Sequence, residues 1–292
     1  MLARWSRALS CVKRVSSFEK GQDSLTFLFR DYASVAAAVE PNAKSDTDKT
    51  KVNLNKMFWS KPRSLALAAD SPYRIHDPQY EGVKRFMLKL MLFYSKQSQF
   101  IRSANAIYSR VLYQVDRPAI YDVFSLEETF KTTYSLLVLH MWLCLRRLRK
   151  EGKEGVELGQ YLYEIYNHDL ELRVSKAGVN LLLSKWMKEL ERIFYGNVVA
   201  YDAAIGKQDD LQNVIWRNVF LDDDTSKPSG DVLLSVQALT RYVRREESSL
   251  SLTESTCSGK FKVTVTPVCV DKESIISGNF MFTSLEDAET VC

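Results

Sequence analysis

The chain changes from irregular polar sequence to helical periodicity near residue 78. Residues 19–70 are polar and mixed, and 39–53 has the composition of a disordered segment. Beyond them, apolar residues recur at the three- and four-residue spacing of amphipathic helices, and strand-like alternation is confined to 261–270. We therefore expect a single all-α domain of about seven helices. The predicted helices are 82–96, 99–114, 126–150, 155–174, 180–203, 208–221 and 231–248.

The segment 126–150 is predicted to be the longest helix and the most deeply buried. Ser125 stands three residues before Glu128, which is the spacing of a capping box at a helix N-terminus. The helix is apolar nearly all round between 134 and 145, as expected for a helix buried on several sides. Gly152 is expected to end it. Its last turn is basic, which suits the helix dipole, and contains Arg146, Arg147, Arg149 and Lys150.

Composition divides the chain into four parts. Residues 1–18 contain four basic residues and no acidic residue, which is typical of a mitochondrial transit peptide, although a disordered basic N-terminus is the alternative. A polar, disordered lead-in at 19–70 and a helical domain at 71–250 follow. The C-terminal tail, 251–292, is expected to be irregular.

The net charge of +4 belongs to the first 18 residues, because the rest of the chain has 36 basic and 36 acidic residues. The helical region is nevertheless polarised. Residues 81–150 contain 12 basic and 5 acidic residues, whereas 151–224 contain 8 basic and 14 acidic residues. The basic set either binds an anionic partner, such as RNA, lipid headgroups or an acidic protein, or attracts the acidic set within the fold. We favour the second interpretation because the basic residues are not clustered with stacking aromatic residues.

The segment 82–94 is unusually apolar for its length. Val83, Phe86, Leu90 and Phe93 fall on one face of the predicted helix. Core packing is the expected role of these side chains, and the alternative is a groove wall for another hydrophobic chain.

No catalytic constellation is evident. The sequence lacks the nucleophile-elbow, phosphate-loop, dinucleotide-binding and zinc-protease motifs. His140 and Cys144 lie among apolar residues and are expected to be a buried histidine and an inert thiol. His168 has Glu164 and Asp169 nearby, but this is a single cluster with the wrong spacing for a di-iron site. We therefore expect no catalytic residue, no metal and no cofactor. The longest apolar stretch, 134–145, is shorter than the roughly 20 residues that span a bilayer.

Three segments are distinctive: YRIHDPQYEGVKRFMLKLMLFYSKQS (73–98), TFKTTYSLLVLHMWLCLRRLRKEGKEG (129–155) and GQYLYEIYNHDLELRV (159–174). They resemble the ubiquinol–cytochrome c chaperone family, the complex III assembly factors of mitochondria, in a plant-like form. The resemblance extends over 71–250 and resumes at 271–285. An atypical insert at 254–270 departs from it, and we expect this insert to be exposed and poorly ordered.

The resemblance implies a non-enzymatic all-α chaperone on the matrix side of the mitochondrial inner membrane, bound peripherally. Members of this family work with a small helical assembly factor at the exit of the mitochondrial ribosome. They hold nascent cytochrome b while haem is inserted and complex III subunits join, and no small-molecule substrate is implied. The residues that match the family's hallmark segments, and are candidates for partner binding, are Leu139, His140, Trp142, Arg146, Arg147, Tyr163 and Asp169.

Two other function classes stay open at this point. One is an RNA-binding protein associated with the mitochondrial ribosome, which would use the basic residues of 81–150. The other is a metal- or haem-handling enzyme, which would use His140, His168 and Cys144.

Overall fold

Seven α-helices make up most of the chain that the computed structural model describes. The described residues are 54–65, 82–83, 86–87, 95–178, 182–220 and 230–253. The helices are α1 Lys96–Val115, α2 Pro118–Phe124, α3 Phe130–Arg149, α4 Gly152–Lys176, α5 Leu183–Ala204, α6 Gln208–Ile215 and α7 Gly230–Leu252. A 3-10 turn at Leu54–Lys56 precedes them, and a π-helical turn at Trp216–Phe220 follows α6. The predicted all-α fold is confirmed.

Helix α3 is the centre of this arrangement. Every residue from Tyr134 to Leu143 is buried, as the all-round apolar sequence predicts. The helix packs against α1, α4, α5, α7 and the π-helical turn. A helix with so many neighbours exposes no polar face along its middle, and this explains why its sequence lacks the usual amphipathic stripe.

The predicted start of this helix is wrong. Ser125 does not cap it but ends α2 in the left-handed conformation, with φ of 53°. The capping box is formed by Thr129 and Thr132, in which each hydroxyl accepts a hydrogen bond from the other residue's backbone N–H. The pattern did not predict the short helix α2 either. Pro118 occupies its first turn, where the fixed φ of proline favours a helix start.

The helix predicted at 82–96 lies mostly outside the described residues. Within it, Val83 and Phe86 are 79% and 67% exposed, so these two side chains do not join the core. Leu90 and Phe93 lie outside the described residues. Helix α1 begins at Lys96, where the Ser95 hydroxyl accepts a hydrogen bond from the Ser98 N–H.

Close packing joins the end of α3 to the start of α4. Gly152, at φ of 69°, turns the chain between them, as its predicted role at the end of the helix requires. Three residues later, a Cβ placed on Gly155 would lie 1.9 Å from the Leu148 carbonyl oxygen. Only glycine therefore lets α4 start directly against the last turn of α3.

Residues 54–65, here called the strap, lie against α2 and α7. Met57, Phe58 and Leu65 are buried, and Arg241 of α7 donates hydrogen bonds to the carbonyl oxygens of Leu54 and Met57 at 2.7 and 3.2 Å. The predicted disordered lead-in at 19–70 does not account for this packed segment. Its few apolar residues lack helical periodicity, so the sequence pattern did not reveal it.

Candidate functional site

His140 occupies the middle of α3 and is fully buried. Its Nδ1 lies 2.7 Å from the Leu136 carbonyl oxygen and its Nε2 lies 2.8 Å from the Tyr242 hydroxyl. Because a carbonyl only accepts, Nδ1 carries the proton and Nε2 accepts from Tyr242. Burial lowers the pKa of His140 to about 4, against the smaller opposing effect of the Leu136 carbonyl. The imidazole is therefore neutral at pH 7 and both of its nitrogens are already bonded.

The residues proposed for metal or haem chemistry do not form a site. Burial raises the pKa of the Cys144 thiol to about 12, which makes it a poor nucleophile and a poor ligand. His168 is exposed on α4. Among the described residues, no three His, Cys, Asp or Glu side chains are grouped so that they could hold a metal ion.

The carboxylate of Asp202, on α5, accepts hydrogen bonds from three side chains near the end of α3. Its Oδ1 accepts hydrogen bonds from Trp142 Nε1 at 2.9 Å and from Arg146 Nη1 at 3.0 Å. Its Oδ2 accepts from Arg149 Nη1 at 3.0 Å. Arg146 also donates to Glu247 of α7 at 3.3 Å, so the basic end of α3 is closed by carboxylates from two other helices.

Arg147 of α3 binds the C-terminal end of α7. Its guanidinium donates to the carbonyl oxygens of Leu250 and Thr253, at 2.7 and 2.5 Å, and pairs with Glu151. The last carbonyl groups of a helix have no partner within the helix. Arg147 supplies donors to this end of α7.

Tyr163 and Asp169 link α4 to its neighbours. The Tyr163 ring packs against Phe194 of α5, with ring centroids 5.3 Å apart. Asp169 accepts hydrogen bonds from the Tyr108 hydroxyl of α1 and from Arg173 Nε, both at 2.7 Å. Arg173 in turn donates to both carboxylate oxygens of Asp116 at 3.0 and 2.9 Å.

The seven hallmark residues thus do not converge on one cleft. Leu139 is buried in the core, and each of the other six contacts a side chain or backbone group on a different helix. Their chemistry is that of interhelical bonding, and no nucleophile is paired with a base. Sequence reasoning missed Asp202, Tyr242 and Glu247, since each is a single polar residue on an otherwise ordinary helix and carries no local signal.

The two oppositely charged regions pair with each other. Arg146 and Arg149, from the basic region, bond to Asp202 in the acidic region. Lys96 lies 2.7 Å from Glu154 and 3.8 Å from Glu157. These contacts support attraction within the fold over a shared basic face for RNA.

The sequence profile of the Ubiquinol-cytochrome C chaperone family matches residues 122–257. This range contains α3 to α7 and all seven hallmark residues. Over these residues the chain is similar to the ubiquinol–cytochrome c chaperone family. Members of this family are chaperones and not enzymes, so the prediction of a non-enzymatic protein is confirmed.

Curated relatives match about half of the chain. The ubiquinol–cytochrome c reductase complex assembly factor 1 of Xenopus laevis is 27% identical over 49% of this chain and 70% of its own length. The human protein of the same name is 28% identical over 58% of each chain. Protein CBP3, mitochondrial, of Saccharomyces cerevisiae is 26% identical over 52% of this chain and 46% of its own. The chain thus spans less than two thirds of the human and yeast relatives, and the plant-like form stays a prediction.

A solved structure, that of the Cbp3 homolog from Brucella abortus, covers 68% of this chain and 98% of its own. The sequence identity is 22% and the TM-score is 0.47, values too low to support an argument about the fold. In the described part of the chain, none of the helices combines the length and the hydrophobicity needed to cross a bilayer.

Proposed function

We propose that this chain is an assembly factor for the mitochondrial ubiquinol–cytochrome c reductase. The observation that carries this proposal is the family match over 122–257, which coincides with the interlocked helices α3 to α7. Relatives from frog and human are named as assembly factors of this reductase complex. A domain whose hallmark residues bind helices to one another suits a scaffold better than a catalyst.

The proposed client is newly synthesised cytochrome b, held together with a small helical assembly factor near the exit of the mitochondrial ribosome. A nascent membrane protein exposes apolar helices, and water drives such helices to aggregate. A helical scaffold that offers an apolar contact beside charged rims shields them until assembly. The exposed apolar side chains of Val83, Phe86 and Met87 are available for such a contact.

The proposed location is the matrix side of the inner membrane, with peripheral attachment. The yeast relative is named as a mitochondrial protein. Residues 1–18, which lie outside the described residues, have the basic and acid-free composition of an import leader. We propose that this leader precedes the lead-in, the helical domain at 71–250 and the tail that contains the 254–270 insert.

The seven hallmark residues are proposed to act by holding the scaffold in its binding form. Six of them contact a residue on another helix, five through hydrogen bonds and one through ring packing. Replacing one of them would therefore alter the surface that its helices present without removing a direct contact to a partner.

Removal of the chain from its host's mitochondria tests the proposed function. We expect assembled complex III to fall while the other respiratory complexes persist, and re-expression of the full chain to restore it. Purification of tagged full chain should recover cytochrome b and a small helical protein. A general loss of mitochondrial translation would instead support the RNA-binding alternative, and recovery of neither partner would overturn the proposal.

A further inference from the structure

The strap contains an exposed arc between two buried anchors. Before the arc, the ring of Phe58 is buried against α2 and α7. After it, Leu65 is buried and its backbone N–H donates a hydrogen bond to the Thr253 hydroxyl at 2.9 Å. Residues 59–64, between the two anchors, are all exposed. The arc is therefore held to the helical domain at both ends and faces solvent in between.

Trp59 begins the arc with a large apolar side chain that is 68% exposed. Its Nε1 donates a hydrogen bond to the Asn55 carbonyl oxygen at 2.9 Å, and the Arg241 guanidinium lies over the ring, 5.2 Å from its centroid. These two contacts orient the indole. Because its one polar atom already has an acceptor, the ring can enter a medium that contains little water without leaving a buried donor unsatisfied.

The charge of the strap has one sign. Lys56, Lys61 and Arg63 are all exposed, and residues 54–65 contain no Asp or Glu. Within the described part of the chain, none of these three cations pairs with a carboxylate. This distinguishes them from the basic end of α3, whose arginines bond to carboxylates of other elements. The strap therefore attracts an anionic partner with a short segment that the fold does not neutralise.

We propose that the arc 59–64, together with Lys56, binds the surface of an anionic lipid bilayer, with the Trp59 ring at the level of the headgroups. The proposal rests on the proposed function, which includes peripheral attachment to a membrane. Tryptophan is enriched at membrane–water interfaces, and each Lys or Arg near an anionic bilayer strengthens binding about fivefold. An exposed indole among three basic residues matches such a surface in both polarity and charge.

Protein and RNA partners fit the same residues less well. Lysine is depleted in protein–protein interfaces, whereas two of the three basic residues of the strap are lysines. Single-stranded RNA is bound by stacking successive bases on several aromatic rings. The arc offers one ring, and Arg241 already lies over one of its faces. A bilayer needs neither a pocket nor a series of rings.

Vesicle binding of the purified full chain gives the first test. The four basic residues of 1–18 are replaced with Gln in every chain that is compared, so that this segment supplies no attraction of its own. We expect binding to vesicles of phosphatidylcholine and phosphatidylserine in equal parts. Binding to pure phosphatidylcholine vesicles should be at least about tenfold weaker, because the charge attraction is lost. A lack of binding to the mixed vesicles would overturn the proposal.

Paired substitutions locate the binding surface. Lys61→Gln with Arg63→Gln should weaken binding to the mixed vesicles about twentyfold, since two cations are lost. Lys185→Gln with Lys188→Gln removes the same charge from exposed positions on α5 and is the matched control, with an expected change of less than about twofold. The urea midpoints of both pairs should equal that of the unmodified chain. Equal losses of binding would show that only net charge matters and would contradict the assignment to the strap.

Tryptophan fluorescence tests whether Trp59 enters the bilayer. Mixed vesicles with brominated acyl chains quench indoles that reach the acyl region, and we expect them to quench the full chain. Trp59→Phe should lose most of this quenching while it still binds the vesicles. Trp186→Phe, which changes a half-buried tryptophan of α5, should retain it. Quenching that persists in Trp59→Phe would exclude the proposed insertion.

Competition separates the bilayer from RNA. Single-stranded RNA is added to the full chain bound to mixed vesicles, and we expect little displacement. Tighter binding of RNA than of vesicles, with the same dependence on Trp59, Lys61 and Arg63, would overturn the proposal in favour of RNA. Loss of complex III after removal of the chain tests the proposed function separately. A chain that binds vesicles as expected but is dispensable for complex III would overturn only the proposed function.

Discussion

A neutral histidine and a tyrosine form a polar contact inside the most apolar part of the described core. His140 and Tyr242 lie 102 positions apart in the chain and join α3 to α7 through a 2.8 Å hydrogen bond. A buried pair of this kind is stable only while the imidazole stays uncharged, since burial penalises the protonated form. The stability of the contact between α3 and α7 therefore depends on the pH.

We expect the chain to lose stability as the pH falls from about 6.5 to about 4, because the unfolded state binds a proton at His140 more readily than the folded state does. Above pH 6.5 the contribution of this residue is complete, and across the window about 3 kcal/mol is lost. Urea titrations at pH 7 and pH 5.5 measure the first part of this loss, about 1 kcal/mol. His140→Leu should show a smaller pH dependence, and His168→Ala, which changes an exposed histidine, should match the unmodified chain. An unchanged pH dependence in His140→Leu would contradict the assignment.

At the scale of elements, one carboxylate binds three side chains near the end of α3. Asp202 of α5 receives Trp142, Arg146 and Arg149, and the Trp142 ring also packs against Tyr201 with centroids 5.0 Å apart. The indole N–H is thus fixed in a polar contact at the border of the core. A helix packed on all sides needs such directional contacts to set its axial position, because apolar contacts alone are non-directional.

Asp202→Ala should lower the free energy of unfolding by about 2 to 3 kcal/mol, because the buried Trp142 N–H loses its acceptor and two arginines lose their counter-charge. Chemical denaturation followed by tryptophan fluorescence measures the change. Glu154→Ala is the matched control: it breaks the half-exposed pair with Lys96 and should cost less than about 1 kcal/mol. Equal losses in the two variants would show that Asp202 does not hold α3.

The strap is the second element whose contribution is local and measurable. Phe58 is 4% exposed and packs against Phe124 and Tyr242, with ring centroids 5.7 and 5.4 Å away. It holds a left-handed backbone conformation, φ of 65°, which is uncommon for a bulky residue and must be offset by its contacts. Phe58 is therefore one anchor of the segment, beside the buried Met57 and Leu65.

Phe58→Ala should destabilise the chain by about 3 kcal/mol, the lower end of the range for large-to-small replacements of a buried phenylalanine. The adjacent Trp59 is 68% exposed and supplies the control, since Trp59→Ala should cost less than about 1 kcal/mol. Urea denaturation of the full chain measures both. A cost for Trp59→Ala as large as that for Phe58→Ala would place the anchor of the strap elsewhere.

At the scale of the molecule, basic residues of 81–150 pair with acidic residues on other helices of the fold. The basic end of α3 meets acidic residues of α5 and α7, and α1 meets the first turn of α4. Opposite charges on separate helices therefore help to align them.

Helical periodicity in the sequence was enough to predict α3, α4, α5 and α7, because long amphipathic or fully apolar segments carry their pattern locally. It failed at α2 and at the start of α3. There, Ser125 and Thr129 are both good caps by residue type, and only the folded chain shows that Thr129 caps α3. The strap escaped prediction for a similar reason, since three buried residues in an irregular segment have no period.

The amino-acid order alone therefore predicted an all-α domain with α3 at its centre, a buried neutral His140, an inert Cys144 and a resemblance to a chaperone family. The folded chain was needed to identify the partners of the hallmark residues. Trp142 and Asp202 are 60 positions apart, and Arg146 and Glu247 are 101 apart. Local sequence governs which face of a helix is apolar, but only the packing of that helix against others selects which distant carboxylate meets which arginine.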